Sequence, residues 1–304
     1  MKIGMIGLGK MGGNMAERLV RAGHEVIGYA QHRETVESAA EKGIKGVTSL
    51  PDLISELDPP GVVWIMVPSG KPVDSVIEEL IDLLEPGGVV IDGGNSNYRD
   101  TLRRSALLAE NGIEMVDCGT SGGVWGLKEG YSMMVGGSRE AVEKLSPIFE
   151  ALAPAPDRGW GHVGPPGAGH FVKMVHNGIE YGMMQAMAEG FSILRHKEEF
   201  GLDLHQVAEI WRYGSVVRSW LLDLISAVFE DNPGLEEIAP YVEDSGEGRW
   251  TVLESLELDV PAPVITQALF ERFRSREENS FSDRVLAALR DRFGGHGFRK
   301  ETES

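Results

Sequence analysis

The first half of the chain alternates short apolar runs with amphipathic stretches. Six runs have the length and the β-branched content of buried strands, and they lie at 2–6, 24–30, 61–67, 87–93, 114–119 and 131–137. Between them, apolar residues recur at helical spacing in 14–22, 33–42, 72–84, 98–111 and 138–152. Strands and helices in alternation predict an α/β fold with a Rossmann-type, doubly wound sheet.

The pattern changes after about residue 165. The segment GPPGAG at 164–169 interrupts it, and afterwards only helical spacing is found, in 168–196, 203–213, 215–230, 246–258, 262–275 and 280–293. We therefore divide the chain into an α/β domain, 1–166, and a C-terminal all-α domain, 167–304.

Composition narrows the class of protein. The net charge of −18 over 304 residues disfavours binding to nucleic acid. Binding of any anionic ligand would need a local cluster of cationic side chains. Cys118 is the one cysteine, so an intrachain disulfide cannot form, and we expect a reducing, cytoplasmic location. No apolar run reaches the ~20 residues of a membrane span, and the N-terminus reads as a strand and not as a signal peptide.

A glycine-rich turn follows the first strand. Gly7, Gly9 and Gly12 have the G-x-G-x-x-G spacing between a strand and a helix, where the helix N-terminus can bind the pyrophosphate of a dinucleotide. A glycine turn without a ligand is the alternative. Residues expected to contact the cofactor are Gly7, Leu8, Gly9, Lys10, Met11, Gly12, Gln31, His32, Arg33, Met66, Val67, Pro68 and Asn95.

The end of the second predicted strand bears on the choice of cofactor. NAD-binding proteins place an acidic residue there, but this chain has Ala30, Gln31, His32 and Arg33. No carboxylate would repel a 2′-phosphate, and Arg33 could pair with one. The residues favour NADP and leave NAD open; Arg33 alone could equally be a solvated helix start.

Two further loops follow strands on the edge where such sheets bind ligands. Asn95 and Ser96 lie in the first, and Ser121, Gly122 and Gly123 lie in the second, where N–H groups and a hydroxyl could bind a carboxylate. Each loop alone could be an ordinary glycine turn. Their common position beside the dinucleotide motif predicts a site.

The helix that opens the second domain is apolar except for one stripe. Lys173, His176, Asn177 and Glu180 fall on one face, with Lys173 and Glu180 two turns apart. A structural ion pair is the alternative interpretation. Desolvation lowers the pKa of a lysine and raises that of a carboxyl group, which suits such groups to proton transfer near neutral pH.

These motifs together resemble the 6-phosphogluconate dehydrogenase family along nearly the whole chain. The resemblance is carried by GLGKMGGN (7–14), IDGGNSNYRDT (91–101), SGG (121–123), GAGHFVKMVHNGIEYG (167–182), GRWT (248–251), ALFER (268–272) and RDRFGGH (290–296). It implies oxidation of 6-phosphogluconate by NAD(P), with decarboxylation to ribulose 5-phosphate, in gluconate utilisation and the pentose phosphate pathway. No metal is implied.

The resemblance also implies a role for each matching residue. Lys173 would accept the proton of the C3 hydroxyl, and Glu180 would protonate C1 of the enediol left by decarboxylation. The sugar acid would be held by Asn95, Ser121, Gly122, Gly123, His176 and Asn177. Its phosphate would be held by Tyr181, Arg249, Arg272 and Arg290, with His296 nearby, which supplies the required cation cluster. In the family the tail reaches a neighbouring subunit, which implies a homo-oligomer, a dimer or a tetramer.

The chain departs from the family pattern in three places. Arg249 stands where a lysine is usual, the NADP-type Asn-Arg-Thr after the second strand is absent, and the helical domain has one helical half instead of two. Two other functions stay open. A β-hydroxyacid dehydrogenase or semialdehyde reductase would share the fold and a lysine, and a catalytically silent NADP-binding sensor would share the fold alone.

Overall fold

The computed structural model describes residues 1–295 and 299. Eight strands are β1 (Lys2–Ile6), β2 (Glu25–Tyr29), β3 (Lys45–Val47), β4 (Val62–Ile65), β5 (Val89–Asp92), β6 (Glu114–Ser121), β7 (Ser132–Gly136) and β8 (Trp160–Gly164). The first seven helices are α1 (Lys10–Arg21), α2 (Arg33–Ala40), α3 (Leu50–Ser55), α4 (Lys71–Leu83), α5 (Tyr98–Glu110), α6 (Gly126–Glu129) and α7 (Arg139–Leu152). Six more follow: α8 (Ala168–His196), α9 (Leu204–Arg212), α10 (Trp220–Asp231), α11 (Glu247–Glu257), α12 (Pro263–Arg274) and α13 (Phe281–Gly294).

The eight strands form one sheet in the order β3-β2-β1-β4-β5-β6-β7-β8. All neighbours are parallel except β6 and β7, which are antiparallel. The first six strands have the order of a dinucleotide-binding sheet, so the predicted Rossmann-type fold is confirmed. The carboxyl ends of β1, β4, β5 and β6 therefore lie along one edge, which brings the predicted loops to the same side of the sheet.

Two strands and two short helices were not predicted. β3 has three residues, and β8 (WGHVG) has mostly part-exposed or exposed positions on the edge of the sheet, so neither shows an apolar run. Helices α3 and α6 have six and four residues, below the length at which a helical period can be read. Helix α1 begins at Lys10 and not at residue 14, because Gly12 and Gly13 are already helical.

The chain divides into two compact units, Met1–Asn177 and a second unit that begins at Gly178. The first unit has an apolar layer on each face of the sheet, one containing Trp64 and Phe149 and the other containing Leu53 and Ile77. The second unit is helical, with one core around Phe191 and Phe229 and a smaller one around Tyr181.

The predicted helix over 215–230 is shorter in the structure. It begins at Trp220, because the Ser219 hydroxyl accepts a hydrogen bond from the backbone N–H of Leu222 and caps the helix there. None of the helices in residues 1–295 combines the length and the apolar character that a bilayer-spanning segment needs.

Candidate active site

The glycine turn after β1 has the geometry that a pyrophosphate needs. Gly7 has φ +97°, a conformation that side chains rarely adopt, and a Cβ at Gly12 would lie 2.0 Å from the Gly7 carbonyl oxygen. Around Gly9, by contrast, no described atom lies within 4 Å of where a Cβ would be. The turn therefore packs helix against strand through Gly7 and Gly12 and leaves the backbone at Gly9 open, at the N-terminus of α1.

The other residues of this turn divide into two groups. The Leu8 side chain is buried against the sheet, since a Cβ at Gly28 would lie 2.9 Å from its Cδ1 atom, so this side chain cannot contact a ligand. Lys10 is exposed, and Met11 is half-buried. The loop after β4 lies beside the turn, because a Cβ at Gly7 would be 2.5 Å from the Met66 carbonyl oxygen.

The residues after β2 are exposed. Gln31, His32 and Arg33 all face solvent, and the Arg33 Nε donates a hydrogen bond to Glu37 Oε1 at 2.9 Å. A 2′-phosphate would have to compete with Glu37 for this guanidinium. At an exposed position such a pair is weak, so Arg33 can exchange partners.

A buried arginine supports the loop that carries Asn95. The side chain of Arg104 is 1% exposed and donates to the Ser96 hydroxyl at 3.1 Å and to the Gly70 carbonyl at 3.0 Å. Its Nε donates to Asp74 at 2.8 Å, and it lies 3.5 Å from the buried Asp92. This network joins the loops after β4 and β5.

Asp92 completes the same network from the end of β5. Its carboxylate accepts from the Gly94 backbone N–H at 3.1 Å and from the Ser96 hydroxyl at 2.7 Å. Ser96 is therefore buried and supports the loop, while Asn95 is exposed on the loop.

The N-terminus of α8 is held by a carboxylate from β6. Asp117 is fully buried and accepts hydrogen bonds from the backbone N–H groups of Gly167 at 2.6 Å and His170 at 2.7 Å. The negative charge also complements the positive end of the helix dipole. His170 extends the contact, since its Nδ1 lies 2.7 Å from the Thr101 hydroxyl on α5.

Lys173 packs directly on β6. A Cβ at Gly119 would lie 2.3 Å from the Lys173 Cβ and 2.8 Å from the Gly169 carbonyl oxygen, so only glycine allows the helix to approach this closely. Gly119 precedes Ser121, Gly122 and Gly123 by two to four residues. The stem of Lys173 therefore lies against the strand that ends in the predicted carboxylate-binding loop.

The amine of Lys173 is buried among polar groups. The residue is 5% exposed, and its Nζ donates to Asn177 Oδ1 at 2.7 Å, with His176 Nδ1 at 3.5 Å. His176 Nδ1 is itself 3.0 Å from the same Asn177 oxygen. The three predicted residues thus form one hydrogen-bonded group, and Lys173 is held in place through Asn177.

The remaining predicted residues belong to the second unit. Glu180 is half-buried, two turns after Lys173 on α8. Tyr181 is buried, and its hydroxyl accepts from the Ser245 backbone N–H at 3.1 Å. The Arg272 guanidinium carbon lies 3.6 Å from the centre of the Tyr181 ring, a cation–π contact.

Arg249 contacts the same segment of this unit as Arg272, through Asp244. Its Nε and Nη2 donate to the two carboxylate oxygens of Asp244 at 2.7 and 3.0 Å, and its guanidinium carbon lies 4.3 Å above the Phe273 ring. The Arg249 hydrogen bonds lower the pKa of Asp244 more than any other contact does, with burial acting in the opposite direction. Arg290 is exposed on α13, and His296 lies outside the described residues.

Sequence reasoning missed the residues that hold these groups: Asp92, Arg104, Asp117, Gly119, Asp244 and Arg276. One signal was available for Arg104, because Thr101, Arg104 and Leu108 form the buried face of α5 at helical spacing. A charged residue on such a face needs partners, which the acidic residues of neighbouring loops supply.

Comparison with known families agrees with this geometry. Residues 2–163 match the model for the NAD binding domain of 6-phosphogluconate dehydrogenase. Residues 169–285 match the model for the 6-phosphogluconate dehydrogenase C-terminal domain. The two models together cover most of the chain.

Individual relatives extend the comparison. The NAD(+)-dependent, decarboxylating 6-phosphogluconate dehydrogenase of Haloferax volcanii is 44% identical over 97% of this chain and 98% of its own length. A Plasmodium falciparum 6-phosphogluconate dehydrogenase structure has a TM-score of 0.82 at 29% identity, covering 100% of this chain and 67% of that one. A Mycobacterium tuberculosis 3-hydroxyisobutyrate dehydrogenase structure has a TM-score of 0.71 at 25% identity, covering 88% and 90%.

Proposed function

The chain belongs to the 6-phosphogluconate dehydrogenase family, and on this basis we propose that it oxidises and decarboxylates 6-phosphogluconate to ribulose 5-phosphate with NAD or NADP. The observation that carries the proposal is the buried Lys173 amine, bonded to Asn177 and packed on Gly119 of β6. Oxidation of a hydroxyl group needs a general base to accept its proton, and we assign this role to Lys173.

The proton movements follow from Lys173 and Glu180. Lys173, as the neutral amine, accepts the proton of the C3 hydroxyl while C3 is oxidised to a ketone. The C1–C2 bond then breaks, carbon dioxide leaves, and the bond's electrons form an enediol whose oxygen takes the proton back from Lys173. Glu180 then protonates the carbon that lost the carboxylate, and Lys173 again accepts a hydroxyl proton.

A nicotinamide dinucleotide would supply the hydride acceptor when bound. The open backbone at Gly9, the Met66–Pro68 loop and the exposed Arg33 fit such a group at the carboxyl edge of the sheet. The guanidinium of Arg33 can exchange its exposed pair with Glu37 for a 2′-phosphate, which supports NADP. The Haloferax relative, by contrast, is named as NAD(+)-dependent. We propose NADP as the preferred cofactor, with NAD accepted.

Substrate binding is assigned by the chemistry of each group. Asn95, the Ser121–Gly123 loop, His176 and Asn177 offer donors and acceptors to the sugar acid. Gly122 and Gly123 both have positive φ, so their turn can present backbone N–H groups to a carboxylate. Tyr181, Arg249 and Arg272 offer a hydroxyl and two guanidinium groups to the phosphate.

We also propose a homo-oligomer in which the C-terminal tail reaches a neighbouring subunit. Helix α13 supports this, because its apolar stripe of Phe281, Val285, Leu286 and Leu289 is 40–75% exposed. A helix with such a stripe gains stability only by packing against another surface. Docking of α13 on a partner would place Arg290 at that interface, and we assign it to the partner's phosphate site; His296, predicted to lie near the phosphate, falls outside the described residues. With one cysteine per chain, a reducing cytoplasmic location belongs to the same proposal.

Initial rates with 6-phosphogluconate and either NAD or NADP, with carbon dioxide trapped, test the function. Lys173→Met should abolish oxidation and leave the thermal unfolding transition intact. The matched control is Lys144→Met, at an exposed position of α7, which should keep the wild-type rate. Near-normal turnover by Lys173→Met would refute the assignment of the base.

The same assay separates the competing functions. A β-hydroxyacid dehydrogenase would oxidise a 3-hydroxy acid without carbon dioxide release from 6-phosphogluconate, and a silent sensor would bind the dinucleotide without turnover.

A further inference from the structure

One short segment of the second unit, residues 243–245, contacts Tyr181, Arg249 and Arg272, three of the residues proposed to bind phosphate. The backbone carbonyl of its first residue, Glu243, accepts a hydrogen bond from Arg272 Nη1 at 2.7 Å. The side chain of its middle residue, Asp244, accepts two hydrogen bonds from Arg249. The backbone N–H of its last residue donates to the Tyr181 hydroxyl at 3.1 Å. The segment therefore sets the relative positions of three phosphate-binding side chains.

The same segment holds a third arginine, which no motif singled out. Arg276 Nη2 donates to Asp244 Oδ2 at 2.9 Å, and its Nε donates to the Arg272 carbonyl oxygen at 3.1 Å. Its guanidinium carbon lies 5.2 Å from the centre of the Phe273 ring, which Arg249 also contacts. The side chain is 23% exposed, so it is held on several sides and still reaches solvent.

The charges of this group match a phosphate ester. Three guanidinium groups and the Asp244 carboxylate have a net charge of about +2, and a phosphate monoester carries about −1.5 to −2 at pH 7. Each guanidinium has five N–H donors, and the bonds to Asp244 use two from Arg249 and one from Arg276. Donors therefore remain on both side chains for a second anion.

We propose that Arg276 binds the substrate phosphate together with Arg249 and Arg272, and that Asp244 is a positioning residue that orients Arg249 and Arg276. The proposal rests on the function proposed above and adds to its phosphate site a third arginine from the same subunit, besides Arg290 from the neighbouring one. It also assigns the 243–245 segment as the part of the chain that arranges this site before the substrate arrives.

A substitution at Asp244 shows whether its carboxylate orients Arg249 and Arg276 or only balances their positive charge. The Asp244 side chain is 4% exposed and bridges two arginines, so it remains ionised between them. If it acted only as a countercharge, Asp244→Asn would raise the affinity for an anion, because the net positive charge increases. If it orients the arginines, the same substitution lowers that affinity, because both guanidinium groups lose their shared acceptor.

The test measures kcat and KM for 6-phosphogluconate and the inhibition constant of inorganic phosphate in the full-length enzyme. Arg276→Met should raise that KM and the phosphate inhibition constant at least about tenfold, with a smaller change in kcat and an unchanged dinucleotide KM. Arg276→Lys, which keeps the charge but not the fork, should give intermediate values. The matched control is Arg274→Met, at the last residue of α12 and two positions before Arg276, whose side chain is 72% exposed, and it should behave as wild type.

The outcomes separate the two proposals. If the wild-type enzyme does not turn over 6-phosphogluconate, the proposed function fails. If it does, and Arg276→Met and Arg276→Gln both keep the wild-type KM and phosphate inhibition, the role of Arg276 is overturned. Arg276→Gln, which retains a hydrogen-bonding side chain, decides the question where Arg276→Met lowers the unfolding temperature. A lower KM in Asp244→Asn would overturn the positioning role.

Discussion

A methyl group at Gly119 would be placed where helix α8 crosses strand β6. Gly119→Ala adds no charge and removes no hydrogen-bonding group, and Gly119 does not have a positive φ. Its only direct effect is on the distance between the strand and the helix that carries Lys173. The substitution therefore tests whether the position of Lys173, and not its chemistry alone, controls the reaction.

The size of the effect follows from two distances. The new Cβ would lie 2.3 Å from the Lys173 Cβ and 2.8 Å from the Gly169 carbonyl oxygen, and neither atom can rotate away from the backbone. Carbon atoms prefer about 3.5–4.0 Å, so the helix must move by roughly 1 Å. A misplacement of that size costs about 100-fold in kcat, and the overpacking costs about 1–3 kcal/mol in the free energy of unfolding.

The assay is kcat at saturating substrate and dinucleotide, with urea unfolding measured on the same preparations. Gly161→Ala is the matched control, since Gly161 also lies in a strand of this sheet and no described atom is within 4 Å of its Cβ position. That variant should keep the wild-type kcat and stability. A Gly119→Ala enzyme with wild-type kcat would refute the argument that close packing on β6 positions the lysine.

Three further predictions follow from other parts of the molecule. Truncation before Arg290 should raise the KM for 6-phosphogluconate and reduce the assembled mass in size-exclusion chromatography, and unchanged values of both would contradict the role of the tail. The pKa of Asp74 is lowered from its ordinary value of 3.8, mainly by the hydrogen bond from Arg104. The ionised carboxylate therefore stabilises the fold above pH 3.8, and this stabilisation is lost as the pH falls through the lowered pKa. Asp74→Asn should therefore lower the urea midpoint at pH 7, with a difference from wild type that shrinks in acid; a difference independent of pH would argue against the pair. Burial raises the pKa of Cys118 to about 12, so iodoacetamide should label it only at the rate of unfolding, and rapid labelling of the native enzyme would show the site to be open.

The location of the supporting residues has a consequence for the enzyme as a whole. Lys173 and Asn177 belong to α8, but Asp117 and Gly119 of β6 determine where that part of the helix begins and how close it lies to the sheet. In the second unit, segment 243–245 performs the corresponding task for the arginines. Substitutions at these supporting positions should therefore alter turnover or substrate affinity without touching a reacting atom.

Local patterns in the sequence were sufficient for much of the fold. The period of apolar residues predicted six of the eight strands and the all-helical character of the second unit, because burial of one face repeats every two or 3.6 residues. The spacing of Gly7, Gly9 and Gly12 predicted the turn, since all its conformational requirements fall within a few residues. The spacing of Lys173 and Asn177 likewise placed both on one helical face.

Only the tertiary structure decided which distant residues support those motifs. Asp117 bonds to a backbone N–H 50 residues away, and the Tyr181 hydroxyl accepts from a residue 64 positions later. The exposure of the edge strand β8 and the antiparallel direction of β7 were also decided there. Such contacts depend on where separate segments cross in three dimensions, and no period or spacing along one segment contains that information.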